Sequence, residues 1–180
     1  RAIHLGWGDV YVDDCAAAVA HVVDAGAADP ARVVVTGSSA GGFTALLLLA
    51  RHPERFAAGV ALSAVADLVD LRERSHRFER HSTLDLVGDH AAHVARSPLQ
   101  HAGAIAAPVL LLHGADDPVI PVEQAEHLAA RLRALGRTVE LHVYDGEGHG
   151  WSRPASVLDE LARTEAFLAR HVPDPPGSMR

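Results

Sequence analysis

The stretch Gly37-Ser38-Ser39-Ala40-Gly41-Gly42 decides the fold of this chain. An apolar, β-branched run, Val33-Val34-Val35-Thr36, precedes it, and an apolar helical run from Phe43 to Ala50 follows it. A strand, a sharp turn and a helix in this order form the setting of a Gly-x-Ser-x-Gly nucleophile elbow, whose central serine sits in strained backbone geometry. The pattern therefore predicts Ser39 as a nucleophile.

The neighbours of such a serine must be small. We expect Gly37 and Gly41 to let the strand and the helix approach closely, and the backbone N–H of Ala40 to face a developing oxyanion. A second interpretation is a glycine-rich turn that caps a helix with Ser38 or Ser39. A phosphate-binding loop is excluded because no Gly-Lys-Ser/Thr follows.

Composition limits the class of protein. The chain has 180 residues, 48% of them hydrophobic, and a formal net charge of −7, which suits one soluble domain and argues against nucleic acid or an anionic membrane as the main partner. No apolar run is long enough to span a bilayer and no signal peptide is present, so we expect a cytoplasmic protein. The single Cys15 cannot form an internal disulfide, and it is predicted to be a small buried hydrophobe on a helix.

Strands and helices alternate along the chain. The predicted strands are residues 32–36, 58–62, 108–113 and 139–144, the last with the alternation of an edge strand. The predicted helices are residues 9–25 with Asp9 as the N-cap, the run that opens at the elbow, residues 121–135 and residues 156–170. This order predicts an α/β fold with a mostly parallel sheet flanked by helices. The tail, residues 173–180, is predicted to be disordered.

Chemically useful residues follow three of the predicted strands. Ser39 follows the first strand, Asp116 and Asp117 follow the third, and His149 follows the fourth. A nucleophile, an acid and a histidine in this chain order match an α/β-hydrolase triad, and the carboxyl ends of parallel strands meet at one edge of the sheet. The histidine would act first as base and then as acid, with a carboxylate fixing its tautomer.

Other histidines compete for these roles. His113 precedes the acid and His142 lies within a strand, so both are predicted to be structural. Residues 67–98 form a polar excursion, whose basic cluster we interpret as a solvated surface, with a clamp for substrate charge as the alternative. The cluster comprises Arg72, Arg74, Arg77 and Arg80, and the histidines of this region are His76, His81, His90, His93 and, just beyond, His101. His90 and His93 could share a helix face, but two histidines without a third ligand do not predict a metal site.

Three motifs together resemble the prolyl oligopeptidase family of serine peptidases, and most of all its acylaminoacyl-peptidase and dipeptidyl-aminopeptidase branch. They are the elbow, His113-Gly114-x-x-Asp117-x-x-Ile120-Pro121-x-x-Gln124, and Tyr144-x-Gly146-Glu147-Gly148-His149-Gly150. The resemblance extends to Trp7-Gly8 with Asp13-Asp14-Cys15, to Val65-x-Asp67-Leu68 and to Phe78-Glu79, and it reaches about Val172.

The resemblance implies roles for individual residues. Ser39 would be the nucleophile, Asp117 the acid and His149 the base, with the Ala40 N–H as one half of the oxyanion hole. Members of the family cleave peptide bonds of short peptides without a metal or an organic cofactor. Leu62-Ser63-Ala64 stands where relatives often carry aromatic residues, so the resemblance does not assign the residues of the specificity pocket.

The resemblance also implies partners within a longer chain. Relatives have an upstream half of the hydrolase sheet, which supplies a tyrosine as the second oxyanion donor, and usually a β-propeller. Residues 1–172 are therefore expected to be the carboxyl-terminal part of an α/β-hydrolase domain without its upstream half, acting on peptides. The alternatives are an esterase or another small-molecule hydrolase with the same triad, and a non-catalytic binding module of the hydrolase fold.

Overall fold

The structure is a computed structural model that describes residues 4–74 and 80–174. Four parallel strands form one sheet in the order β1-β2-β3-β4. The strands are β1 Val34–Ser38, β2 Ala58–Leu62, β3 Val109–Gly114 and β4 Val139–Tyr144. The helices are α1 Val10–Asp24, α2 Ala40–Arg51, α3 Leu68–Arg74, α4 Arg80–Val87, α5 His90–Arg96, α6 Val122–Ala134 and α7 Pro154–His171, and two 3₁₀ helices span Pro30–Arg32 and Pro98–Ala104. The α/β prediction is confirmed.

The two central strands explain why the chain folds as a parallel sheet. Every residue of β3 is buried, and so is β2 except for Leu62, as expected for strands that are covered by helices on both faces. The registers place Gly37 opposite Ala61 and Leu111 opposite Leu141. Within the described residues β1 and β4 are edge strands, as predicted for β4. β4 is half-buried at every residue up to Val143, so its burial does not alternate as its sequence does.

The first strand begins and ends later than predicted. Arg32 belongs to a 3₁₀ turn instead of the strand, because Pro30 starts that turn and the Asp29 carboxylate accepts a hydrogen bond from the Ala31 N–H at 2.9 Å. The strand then continues to Ser38, directly before the elbow serine. The third strand likewise runs one residue later than predicted, to Gly114.

The core lies between the sheet and helix α2. From Phe43 to Ala50 this helix is buried at every position except Thr44. The Phe43 ring packs on Trp7, with ring centroids 4.8 Å apart. A second apolar cluster on the opposite face of the sheet joins Leu110 and Leu112 to Phe167 of α7. The sheet is therefore held between two apolar layers, and its carboxyl edge remains available for a site.

For helix α1, the predicted N-cap position is confirmed and the predicted burial of Cys15 is wrong. Asp9 occupies the N-cap, but it makes no capping hydrogen bond because its carboxylate forms ion pairs with Arg51 at 2.8 Å and Arg96 at 2.7 Å. Cys15 is exposed, since the helix buries its Val12 and Ala16 side and turns Cys15 toward the groove beside β1.

The polar excursion consists of α3, α4 and α5. Arg74 bonds Asp70 at 2.7 Å and lies 3.7 Å from Glu123, so its charge is paired at the surface. His93 is fully buried, and its Nδ1 lies 2.8 Å from the Asp89 carbonyl oxygen. His76 and Arg77 lie outside the described residues, as do the side chains of Arg80 and His81 and residues 175–180 of the predicted tail. In the described part of the chain, no helix combines the length and the apolar character needed to cross a bilayer.

Candidate active site

The elbow holds Ser39 in the strained geometry that its motif predicts. Its backbone φ of 54° and ψ of −119° fall in a region that L-residues rarely occupy. The strain is held from both sides, because the Ser39 N–H donates to the Leu62 carbonyl at 2.9 Å and the Ser39 carbonyl accepts from the Phe43 N–H at 3.0 Å. The turn thus presents the Ser39 hydroxyl at the carboxyl edge of the sheet.

The glycines of the elbow differ in what they do. A Cβ on Gly37 would stand 2.2 Å from the Gly41 carbonyl oxygen, and a Cβ on Gly42 would stand 2.6 Å from the Ala64 Cβ. At Gly41 itself a Cβ would meet nothing within 4 Å. Gly41 therefore contributes its backbone to the close contact, but a side chain at this position would have room. This corrects the expectation that Gly41 must be small. Gly42 is the second glycine that the packing requires.

Asp117 is buried in the loop that follows β3. Its Oδ1 accepts hydrogen bonds from the Val119 N–H at 2.8 Å and the Ile120 N–H at 2.9 Å. Burial alone would raise the pKa of Asp117, but the Ile120 N–H, the His149 side chain and the Val119 N–H together hold the pKa below its ordinary value. Asp117 is therefore a carboxylate, with Oδ2 left to face His149.

His149 lies between the acid and the serine. Its Nδ1 lies 2.8 Å from Oδ2 of Asp117, and its Nε2 lies 2.9 Å from Oγ of Ser39. With the proton on Nδ1, the imidazole donates to Asp117 and accepts from the Ser39 hydroxyl. The His149 side chain is 25% exposed, so a substrate can reach the group that would move the proton. The structure brings together the three residues that the sequence singled out.

Asp116 has a different environment from its neighbour. It is exposed, and its backbone N–H donates to the Glu147 carbonyl at 2.9 Å, which ties the acid loop to the histidine loop. Ala40 is the first residue of α2, where a backbone N–H has no acceptor within the helix. That N–H lies beside Ser39 in the chain, where the motif expects an oxyanion donor.

Two buried polar residues were not given a site role from the sequence. His113 is fully buried, with Nε2 2.8 Å from the Ile120 carbonyl and 3.5 Å from Oδ2 of Asp117, so it braces the acid loop and does not reach Ser39. Gln124 accepts from the Ala66 N–H at 2.9 Å and the Asp67 N–H at 3.1 Å, which anchors the segment after β2. Both residues belong to the second of the three motifs, but only their contacts in the structure reveal that they fix the acid loop and the segment after β2.

His142 also lies away from the site. Its Nε2 stands 3.6 Å from Asp159 of α7, and its ring packs edge-on against Tyr144 with centroids 4.4 Å apart. Among the described residues no group of three or more His, Cys, Asp or Glu side chains is arranged to hold a metal ion. The contacts from Ser39 through His149 to Asp117 can support proton transfer from a serine to an imidazole that is oriented by a carboxylate.

The chain is similar to known proteins along most of its length. The sequence profile described as the prolyl oligopeptidase family matches residues 1–174. The acylamino-acid-releasing enzyme of Arabidopsis thaliana is 29% identical over 179 residues, which cover 91% of this chain and 23% of the relative. Dipeptidyl aminopeptidase BIII of Pseudoxanthomonas mexicana is 29% identical over 175 residues, with 91% of this chain and 25% of the relative covered.

A solved structure shares the fold. The puromycin-hydrolyzing peptidase of Mycobacterium tuberculosis superposes with a TM-score of 0.93 and 34% identity, covering 99% of this chain and 28% of that one. The parallel sheet and its helices are those of the α/β-hydrolase peptidase fold. The chain spans about a quarter of the length of the proteins that it resembles.

Proposed function

Because the chain belongs to the prolyl oligopeptidase family, we propose that it carries the catalytic residues of a serine-type peptidase that cleaves peptide bonds of short peptides. The observation that supports the proposal is the hydrogen-bonded series from Ser39 Oγ to His149 Nε2 at 2.9 Å and from His149 Nδ1 to Asp117 Oδ2 at 2.8 Å. A histidine that served only as a surface residue of a turn would not be expected to contact both a strained serine and a buried carboxylate.

The mechanism follows from the roles of these atoms. His149 takes the proton of the Ser39 hydroxyl as its oxygen attacks the carbonyl carbon of the peptide bond, and Asp117 stabilises the imidazolium that forms. The tetrahedral oxyanion accepts a hydrogen bond from the Ala40 N–H. The proton then passes from His149 to the leaving amine, which leaves an acyl ester on Ser39. Water activated by the same histidine hydrolyses this ester and restores the hydroxyl.

The proposal includes a partner surface for the rest of a hydrolase domain. Within the described residues β1 pairs with a strand on one side only, and an apolar groove lies beside it between α1 and α2. Leu158 and Leu161 of α7 are 67% and 59% exposed. Further strands and helices of the same protein would cover these surfaces. The same part of the protein would supply the second oxyanion donor. A β-propeller, which the family resemblance implies, is part of the same proposal.

Turnover of two substrate classes tests the activity. The full-length protein is expected to hydrolyse short peptide p-nitroanilides, and Ser39→Ala is expected to remove most of the rate acceleration, by roughly 10⁴-fold or more. A p-nitrophenyl ester panel separates the alternatives, since an esterase would hydrolyse the esters and leave the anilides intact. Folded wild-type protein that turns over neither class would instead support a non-catalytic binding module.

A further inference from the structure

The loop that carries His149 has little intrinsic rigidity. His149 lies between Gly148 and Gly150, and Gly150 has a φ of +118°, a conformation in which glycine is favoured. The Gly150 N–H donates to the Gly148 carbonyl at 2.9 Å, which folds the tip of the loop back on itself. Two flanking glycines leave many backbone conformations open to an exposed imidazole. Something else must therefore hold the base of this loop.

Glu147 is placed to do so. It is completely buried, although it is acidic and lies only two residues before His149. Its Oε2 accepts hydrogen bonds from the Ser152 N–H and the Ser152 hydroxyl, both at 2.7 Å, and its Oε1 accepts one from the Arg153 N–H at 3.1 Å. The carboxylate thus joins the two ends of the loop, with His149 between them.

The charge on Glu147 is needed for these contacts. Hydrogen bonds from the Ser152 N–H and then from the Ser156 hydroxyl, followed by the other Ser152 and Arg153 donors, lower the pKa of Glu147 to about 2. Each of these contacts uses the carboxylate as an acceptor, and a buried donor that loses its acceptor is costly. A glutamine, which has one acceptor oxygen and one NH2 group, could not accept from the donors at both oxygen positions.

The backbone of Glu147 links the loop to the acid. Its carbonyl accepts the Asp116 N–H at 2.9 Å, next to Asp117. Gly114 lies so close that a Cβ there would stand 2.4 Å from the same carbonyl oxygen. On the other side, the Arg153 guanidinium donates to the carbonyls of Asp145 at 3.0 Å and Gly146 at 3.1 Å. Glu147 is therefore the point at which the acid loop, the histidine loop and the start of α7 are joined.

We propose that Glu147 is the positioning residue of the catalytic histidine: its buried carboxylate clasps the loop between residues 147 and 153 and so holds the His149 ring in line with Ser39 and Asp117. This inference rests on the proposed peptidase function. Glu147 does not touch the reacting atoms and acts through His149. Loss of the clasp displaces the imidazole without altering the surface that binds the peptide.

The test compares Glu147→Gln with the wild-type full-length protein. The glutamine amide keeps one acceptor oxygen but places its NH2 group against the donors at the other position, either those of Ser152 or that of Arg153. The carboxylate contacts are therefore broken on one side of the loop while the side-chain volume is kept. We expect kcat per active site to fall roughly 10- to 100-fold with KM nearly unchanged, as a small misplacement of a catalytic group can cost. The rate constant for inactivation by a fluorophosphonate, measured well below the melting temperature, should fall by a similar factor.

Active-site titration separates positioning from folding. A merely structural Glu147 would lower the fraction of protein that the fluorophosphonate finally labels, but each labelled site would react at the wild-type rate. That result would overturn the proposal. Glu140→Gln is the matched control, because Glu140 is an exposed acid on β4 that pairs with Arg170 at 2.7 Å, and it should leave both rates unchanged.

A second variant decides if Glu147→Gln does not fold. Ser152→Ala removes the hydroxyl donor and keeps both backbone donors, so a several-fold loss of kcat is expected, in the same direction and again with KM unchanged. Wild-type rates in folded Ser152→Ala would then contradict the inference. If the wild-type protein itself shows neither turnover nor labelling, the proposed function fails. If the wild-type protein is active and the folded variants are equally active, only the inference about Glu147 fails.

Discussion

Asp117 and His149 stand 32 residues apart in the sequence, yet Oδ2 of the first lies 2.8 Å from Nδ1 of the second. They meet because they follow neighbouring parallel strands, β3 and β4, whose carboxyl ends share one edge of the sheet. The loops are also joined directly by the hydrogen bond from the Asp116 N–H to the Glu147 carbonyl. The sheet and this backbone contact thus hold the carboxylate beside the imidazole.

Replacing this carboxylate should lower kcat and leave substrate binding unchanged. We predict that Asp117→Asn lowers kcat by roughly 10⁴-fold, because an amide no longer selects the tautomer in which Nε2 of His149 accepts the serine proton. Asp116→Asn is the matched control, since Asp116 is exposed and uses its backbone for its contact to the histidine loop. Steady-state kinetics on a peptide anilide checks this, and a larger loss in Asp116→Asn than in Asp117→Asn would overturn the assignment of the acid.

The elbow glycines should respond differently to alanine. A Cβ at Gly37 would stand 2.2 Å from the Gly41 carbonyl oxygen, and one at Gly42 would stand 2.6 Å from the Ala64 Cβ, whereas Gly41 has open space. We predict that Gly37→Ala and Gly42→Ala each lower the free energy of unfolding by about 1–3 kcal/mol or more, as overpacking does.

Gly41→Ala serves as the control for the other two glycines. It should leave the free energy of unfolding unchanged or raise it, because alanine favours a helix more than glycine does. Urea unfolding of the three variants provides the measurement. Equal destabilisation at all three positions would show that the close contacts of Gly37 with Gly41 and of Gly42 with Ala64 are not the reason for the glycines.

Buried His113 should make the protein sensitive to mild acid. Burial outweighs the opposing hydrogen bond to the Ile120 carbonyl and the attraction of Asp117, and so lowers the pKa of His113. The unfolded chain then binds a proton near the ordinary histidine pKa of about 6.5, while the folded protein does not, so stability falls as the pH drops below that value.

A variant without the imidazole should lose part of this dependence. We predict that His113→Gln has a shallower decline of melting temperature between pH 7.5 and pH 5.5 than the wild type. Some decline will remain, because burial also lowers the pKa of His142. Parallel pH profiles in the two proteins would show that His113 does not contribute to acid sensitivity.

Exposed apolar surface should lower the solubility of residues 1–180 when they are expressed alone. With β1 paired on one side in the described structure and Leu158 and Leu161 exposed on α7, the segment presents an open strand edge and apolar patches, which favour aggregation. We predict low solubility and little peptidase turnover compared with the full-length protein. Size-exclusion chromatography and anilide turnover provide the comparison. A monomeric segment with full activity would contradict the proposal that the sheet and the active site need further parts of the protein.

The sequence predicted what depends on local pattern. Unbroken apolar runs marked β2 and β3, and the glycines around Ser39 marked the turn, because strand burial and strained turns have strong compositional requirements. The sequence does not predict what depends on a distant neighbour. Asp9 occupies the N-cap position as predicted, but its carboxylate makes no capping hydrogen bond because it pairs with Arg51 and Arg96.

Errors about burial have the same origin. Cys15 was predicted to be buried from helical spacing, which cannot tell which face of α1 packs against α2. The clasp made by Glu147 was missed because its partners, Ser152 and Arg153, become meaningful only when the loop closes in three dimensions. Buried polar contacts of this kind have no periodicity in a sequence.

The account depends above all on Ser39 as the nucleophile. The most direct measurement is fluorophosphonate labelling of the full-length protein, followed by mass spectrometric mapping of the phosphonylated residue, in the wild type, Ser39→Ala and Ser38→Ala. The account predicts one adduct, on Ser39, in the wild type and in Ser38→Ala, and none in Ser39→Ala. An adduct on Ser38, or undiminished labelling and turnover in Ser39→Ala, would contradict it.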